Sequence, residues 1–259
     1  MHVGVGKRSW FARGFAVAAV ALTTGARAPG GIAWRPLSVG ARSVFDVQLE
    51  EQADADVRKR RVRRVASVVE TVAARGGASG AERTWFEVRT ERRSPDIGGE
   101  RRRGAAAWLS AEGAALREMA RARAEDDTPM RHAAPLLWIP AHVEPGSAWG
   151  VGTLALAEGD LTLAGAAAAG GAVETPAGRF EDCLLLRYEG AYAAAARRGG
   201  AGEARLTGGR FESREWLARG VGTVRAEIVR ELRIEAGPGS VRTRRVREVR
   251  TLRSRGEAP

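Results

Sequence analysis

The sequence predicts a mainly β protein, a curved antiparallel sheet or half-barrel with little helix beyond its first 28 residues. Three observations carry that prediction. Apolar residues recur at every second position in several segments, which puts them on one face of a strand. Gly- and Pro-bearing turns separate those segments at short intervals. The chain has 259 residues, 44% of them hydrophobic, and a single cysteine. At that length it can bury about 70 to 75% of its unfolded surface with no disulfide or metal staple.

Residues 1–28 read as a secretory signal peptide. Lys7, Arg8 and Arg13 lead into or border an apolar run from Phe15 to Thr24, and small residues follow, ending in Ala26-Arg27-Ala28. The run is too short to span a hydrocarbon core of about 30 Å, and an A-x-A site follows it directly. Cleavage after Ala28 leaves 38 cations against 31 acids. The expected location is extracytoplasmic, in the periplasm or secreted.

The strands follow in order. Residues 43–49 place Phe45, Val47 and Leu49 opposite Asp46 and Gln48, and residues 84–90 place Thr84, Phe86 and Val88 opposite Trp85, Glu87 and Arg89. Residues 105–124 are Ala-rich enough for a helix. A turn signal at Glu112-Gly113, and a cost of about 1 kcal/mol for a mid-helix glycine, favour a hairpin. Residues 153–163 read as a hairpin around Glu158-Gly159-Asp160, and Phe180 to Tyr188 as a further strand.

The clearest strand is 223–235, where Val224, Ala226, Ile228, Leu232 and Ile234 share one face and charged residues the other. Residues 241–253 stay open between helix and strand. Residues 75–80, 94–99, 125–129, 164–171 and 193–202 read as loops. Residues 29–259 form one antiparallel β domain. A faint duplication, Trp34-Arg35-Pro36-Leu37 against Trp138-Ile139-Pro140, leaves open two similar halves at about 34–130 and 135–240.

The formal charge of +11 invites a nucleic-acid reading, but only Lys7 and Lys59 are lysines and the other 40 cations are Arg. A surface selected for charge alone could use either cation, so no nucleic-acid partner is expected. The run Arg58-Lys59-Arg60-Arg61 with Arg63 and Arg64 reads as a solvated face or a cation-guarded edge, the alternative being peripheral contact with an anionic envelope surface.

Catalytic patterns are scarce. The P-loop, G-x-S-x-G, H-E-x-x-H and EF-hand spacings are missing from the sequence. Past the leader only His132 and His142 remain, and they read as flanking Trp138 and Pro140 in a loop with no zinc-ligand spacing. Cys183 sits in an apolar run and reads as a small buried hydrophobe. The expectation is no enzyme, with no catalytic, cofactor-binding or metal residue.

Four landmarks carry a resemblance: Trp34-Arg35-Pro36-Leu37-Ser38-Val39-Gly40, Pro145-Gly146-Ser147-Ala148-Trp149, Glu174-Thr175-Pro176-Ala177-Gly178-Arg179-Phe180-Glu181-Asp182-Cys183-Leu184, and Trp216-Leu217-Ala218-Arg219-Gly220-Val221-Gly222-Thr223-Val224-Arg225. In this order they resemble exported bacterial proteins of unknown function that are TapB-like and similar to the LolA/LolB half-barrel type. The resemblance implies a curved sheet around an apolar hollow and no known catalytic residues. The chain departs from it in the second strand region, Val57 to Val72, which is unusually Arg-rich, and at Arg42, where an aromatic is expected. Read from the residues alone, Pro176 presets φ and Gly178 permits positive φ, making a tight turn, and Gly220-Val221-Gly222 does the same before the long strand.

The expected function is non-enzymatic: binding of an apolar or amphipathic envelope ligand, such as a lipid, in the concave sheet. The alternative is an envelope structural or protein-interaction module whose core is filled. One misfit marks a candidate ligand-binding residue. Alternation from Val224 to Ile234 points Arg230 to the apolar face. A bulge near Val229 that turns it outward, snorkelling to the rim, and a role as the cation that fixes a ligand carboxylate or phosphate all stay open.

Overall fold

The computed structural model describes residues 34–35, 37–55, 58–77, 84–93, 103–112, 114–123, 129–156, 159–194, 205–235 and 240–257. The predicted leader at 1–28 and the loop at 94–99 lie outside them. Twelve strands follow one another: β1 (Ala41–Ala55), β2 (Arg58–Gly77), β3 (Thr84–Arg93), β4 (Arg103–Glu112), β5 (Ala115–Arg123), β6 (Met130–Ile139), β7 (Ala148–Leu154), β8 (Leu161–Thr175), β9 (Gly178–Tyr192), β10 (Arg205–Ala218), β11 (Gly222–Glu235) and β12 (Val241–Glu257). The mainly β prediction is correct, and the sheet closes further than a half-barrel.

The strands make one antiparallel sheet in the order β6-β5-β4-β3-β2-β1-β12-β11-β10-β9-β8-β7. Two meanders, β1 to β6 and β7 to β12, are joined where β1 pairs with β12 from Ala41↔Glu257 to Ala53↔Arg244. The sheet curls until its edge strands β6 and β7 face each other, where the indole Nε1 of Trp149 donates to the carbonyl oxygen of Leu137 at 3.0 Å. The right-handed twist of adjacent strands supplies such curvature. The result is a barrel with one seam.

Period two decides which residues look inward. On β3, Phe86, Val88 and Thr90 are buried; on β11, Val224, Ala226 and Ile228 are. The hairpin favoured for 105–124 is β4–β5, and its turn holds Ala114 at φ 69°. The segment left open at 241–253 lies in β12, whose Val246 and Leu252 face the core. At the β8–β9 turn Thr175 pairs with Gly178, whose φ is +132°.

Two loop readings are overturned: residues 164–171 lie within β8, and of 75–80 the described residues 75–77 belong to β2. The small side chains of 164–171 imitate a loop but serve close packing. A Cβ at Gly165 would overlap the Trp149 ring, and one at Gly170 would come to 2.7 Å from the Cys183 carbonyl oxygen. Past that point the β8–β9 hairpin bends, at Gly171 (φ 66°) and Asp182 (φ 51°). Its tip crosses to β12, where the amide of Ala177 donates to the carbonyl of Leu252 at 3.2 Å.

Candidate functional site

The interior has one end capped by the bent hairpin and, among the described residues, an opposite end of uneven burial. At the capped end Val173, Phe180 and Cys183 of the bent hairpin join Phe45, Val47, Val68, Val224 and Leu252 in one apolar cluster. Cys183 is thus a buried hydrophobe, and burial pushes its thiol pKa up. The segment before β1 closes the same end. Leu37 is buried, Trp34 lies 4.9 Å beneath the Arg219 guanidinium, and Arg35 enters the core to pair with Glu215.

Toward the other end burial falls off on β1, β11 and β12, whereas Leu154, Leu161, Tyr192 and Leu206, at the same end of β7 to β10, stay buried. On β11 the inward residues through Arg230 are buried while Leu232 and Ile234 are half-buried; on β1 Phe45 and Val47 give way to half-buried Leu49 and Glu51. On β12 Arg244 is partly exposed and pairs with Glu51 at 2.8 Å. Among the described residues, half-buried Leu49, Leu232 and Ile234 thus stand on the β1, β11 and β12 side of this end, above buried charge.

A belt of charge crosses the interior below those residues. Arg230 stands on β11 in register with Phe211 and Val246. No register shift interrupts β11 there, so the bulge reading fails, as does snorkelling, because Arg230 is 5% exposed. The alternation is unbroken because the adjacent strand offers a carboxylate. Glu248 faces Arg230, takes a 2.5 Å ion pair from Arg92 Nη2 on β3, and takes a 2.7 Å pair from Arg250 Nε. Arg250 also reaches Glu70 on β2 at 3.1 Å.

Burial alone would raise the pKa of Glu248, but the charges of Arg250, Arg92 and Arg230 hold it well below the carboxylate range. Burial has the opposite outcome at Glu215, which is pushed up despite Arg35 and Arg250, and whose Oε1 has no hydrogen-bond partner among the described residues.

A second buried acid lies beside the seam. Glu118 on β5 accepts from both Nε and Nη2 of Arg121 at 2.8 Å, from Trp138 Nε1 at 2.9 Å, and lies 2.9 Å from His132 Nε2. Burial opposes its charge, but Arg121 and His132 win and bring its pKa down to about 2. His132 therefore belongs to β6, not to the loop expected for it; His142 does lie in the loop after β6. No group of three or more metal-ligating side chains occurs among the described residues.

This depression has a measurable consequence. A folded-state value below the unfolded 4.5 means that the charge on Glu118 stabilises the fold above that pH. The stability is lost as pH falls from 4.5 toward 2, on the order of 3 kcal/mol in all. Urea titrations of the protein and of Glu118→Gln should differ most near neutrality and converge across that window. A constant difference would contradict the assignment.

The sequence reading singled out Arg230 and missed Arg35, Glu70, Arg92, Glu118, Glu215, Glu248 and Arg250. The signal was present in β12, where period two from Val246 to Leu252 turns Glu248 and Arg250 inward. It was hidden by Val241 and Val249, which suggest helical spacing.

The chain matches no family model and no curated protein. Among solved structures it is similar to an exported-type protein with a YmcC-like fold from Bacteroides fragilis, at 12% identity over 86% of this chain and 98% of that one, with a TM-score of 0.42. It is also similar to a lipoprotein-type protein from Parabacteroides distasonis, at 11% identity over the same shares, with a TM-score of 0.40.

Proposed function

We propose that this is an exported, non-enzymatic binding protein in which half-buried Leu49, Leu232 and Ile234 line a cup that takes an amphipathic envelope ligand with an anionic head. Export rests on the leader pattern at 1–28. The binding reading rests on one arrangement: half-buried Leu49, Leu232 and Ile234 stand above a floor where Arg92 and Arg230 converge on Glu248. Apolar walls offer surface to an acyl chain, and guanidiniums in a region shielded from water favour a carboxylate or phosphate. Arg230 is the residue assigned to the head group.

Native mass spectrometry of protein recovered from the envelope tests the existence of a ligand. Binding of a fluorescent fatty acid to Arg230→Met tests the residue. Methionine keeps the length without the charge, and Glu248 keeps Arg92 and Arg250, so the variant should fold. Affinity is expected to fall roughly tenfold or more, the worth of one charge-assisted contact. Unchanged affinity removes Arg230 from binding.

A second reading has its own support. Phe86, Leu109, Tyr188, Phe211 and Ile228, from five strands, meet in one buried cluster, so much of the interior is filled by side chains. That favours a structural or protein-interaction module. Recovery of ligand-free protein that takes up no probe would decide for it.

A further inference from the structure

We infer that the wall parts along the β6–β7 seam, and that this slit is the lateral route by which the apolar tail of the ligand reaches the cup. The inference rests on the binding reading above for its purpose and on the seam itself for its mechanism.

Every neighbouring pair in the strand order is hydrogen-bonded, but β6 and β7 stand at its two ends. Among the described residues, what closes the ring is side chain to backbone. Trp149 on β7 donates its indole N–H to the Leu137 carbonyl, and the Tyr188 hydroxyl, from β9, crosses to donate to the Trp138 carbonyl at 2.9 Å. The rings of Trp138 and Trp149 meet Tyr188 edge to face, with centroids at 5.3 and 6.1 Å. Leu136 packs against Gly152, where an added Cβ would lie 3.0 Å from Leu136 Cδ2. Opening elsewhere in the wall breaks a backbone ladder; opening here breaks two side-chain hydrogen bonds and an aromatic contact.

Among the described residues these fastenings fall at residues 136–138 of β6, on the side of the capped end. Toward the other end β6 changes character. Met130, Arg131, Ala133, Ala134 and Pro135 are exposed, and pairing with β5 jumps from Leu136 to Arg131. Pro135 has no N–H to give a neighbouring strand. On β7 the ladder to β8 shifts register between Gly150 and Gly152. The seam is therefore fastened along residues 136–138, and beyond them β6 is exposed while Leu154 of β7 stays buried. Parting of those fastenings lets an apolar tail pass between β6 and β7 without threading the mouth.

The test combines exchange and uptake. Hydrogen exchange of the whole protein should be faster in β6 and β7 than in β1 and β12. Tyr188→Phe, which removes the hydroxyl and keeps the ring, should accelerate exchange in β6 alone among the strands not touching residue 188. Stopped-flow uptake of a fluorescent long-chain fatty acid by the same variant should quicken roughly fivefold, the factor set by one net hydrogen bond, with equilibrium affinity little changed. Exchange at the seam as slow as in β1 and β12 overturns the inference, as does an uptake rate that ignores Tyr188→Phe. Absence of equilibrium binding by the unmodified protein overturns the binding reading instead, and is distinguished because exchange is read without probe.

Discussion

Replacing Glu248 by glutamine is expected to be among the most damaging single changes in this protein, costing about 3 to 5 kcal/mol. The carboxylate is 1% exposed and faces Arg92, Arg230 and Arg250 from three strands. Glutamine keeps the shape and removes the charge, leaving like-charged guanidiniums confined where water screens them little. Glu227 supplies the contrast. It pairs with Arg225 at 2.5 Å and Arg247 at 3.7 Å, but those arginines are 41% and 46% exposed. Pairs of that kind are worth about 0 to 1 kcal/mol. Thermal unfolding should place Glu248→Gln roughly 10 °C below the parent and Glu227→Gln within a few degrees of it. Similar melting temperatures would show that the belt is not electrostatically coupled.

Gly190→Val is expected to cost about 3 kcal/mol or more, through backbone contact. Gly190 lies on the inward face of β9, in register with Leu163 and Phe211. A Cβ there would overlap the Thr162 carbonyl oxygen and come to 2.7 Å from Leu163 Cδ2. A carbonyl fixed in a ladder cannot turn aside as a flexible side chain can. Gly178→Val separates this from conformational strain. At Gly178 φ is +132° and no atom lies within 4 Å of an added Cβ, so only the backbone preference is lost, about 1 to 3 kcal/mol. Denaturant midpoints should rank Gly190→Val well below Gly178→Val, and the reverse order would mean that β8 and β9 separate easily at residue 190.

Local order was legible in the sequence; partnership across the barrel was not. Phe86-Val88, Val224-Ala226-Ile228 and the Pro176-Ala177-Gly178 turn could be read because a strand face and a tight turn are decided by neighbouring residues. The stretch 164–171 could not, since alanine and glycine signal flexibility unless the ring they make room for, Trp149, is known. Arg230 was read correctly as pointing inward and then explained away, because nothing in β11 reveals that Glu248 will stand beside it. Arg35 with Glu215 and Glu70 with Arg250 are each 180 residues apart. Such pairs appear only once the register of distant strands is fixed.

The pairing of β1 with β12 also sets how the molecule assembles. Every other ladder joins strands that follow one another along the chain, so two six-stranded meanders can form from nearby segments, each hairpin closing a short loop. The β1–β12 ladder is different, since Ala41 must find Glu257 across nearly the whole chain. It comes after the chain has paid most of its loop-closure entropy elsewhere, and contacts of that sequence separation slow folding. The charge belt straddles this junction, with Glu70 and Arg92 on one meander and Arg230, Glu248 and Arg250 on the other. Docking of the two meanders is thus the step at which these ions leave water, and the rate-limiting event in refolding should carry the salt dependence of that desolvation.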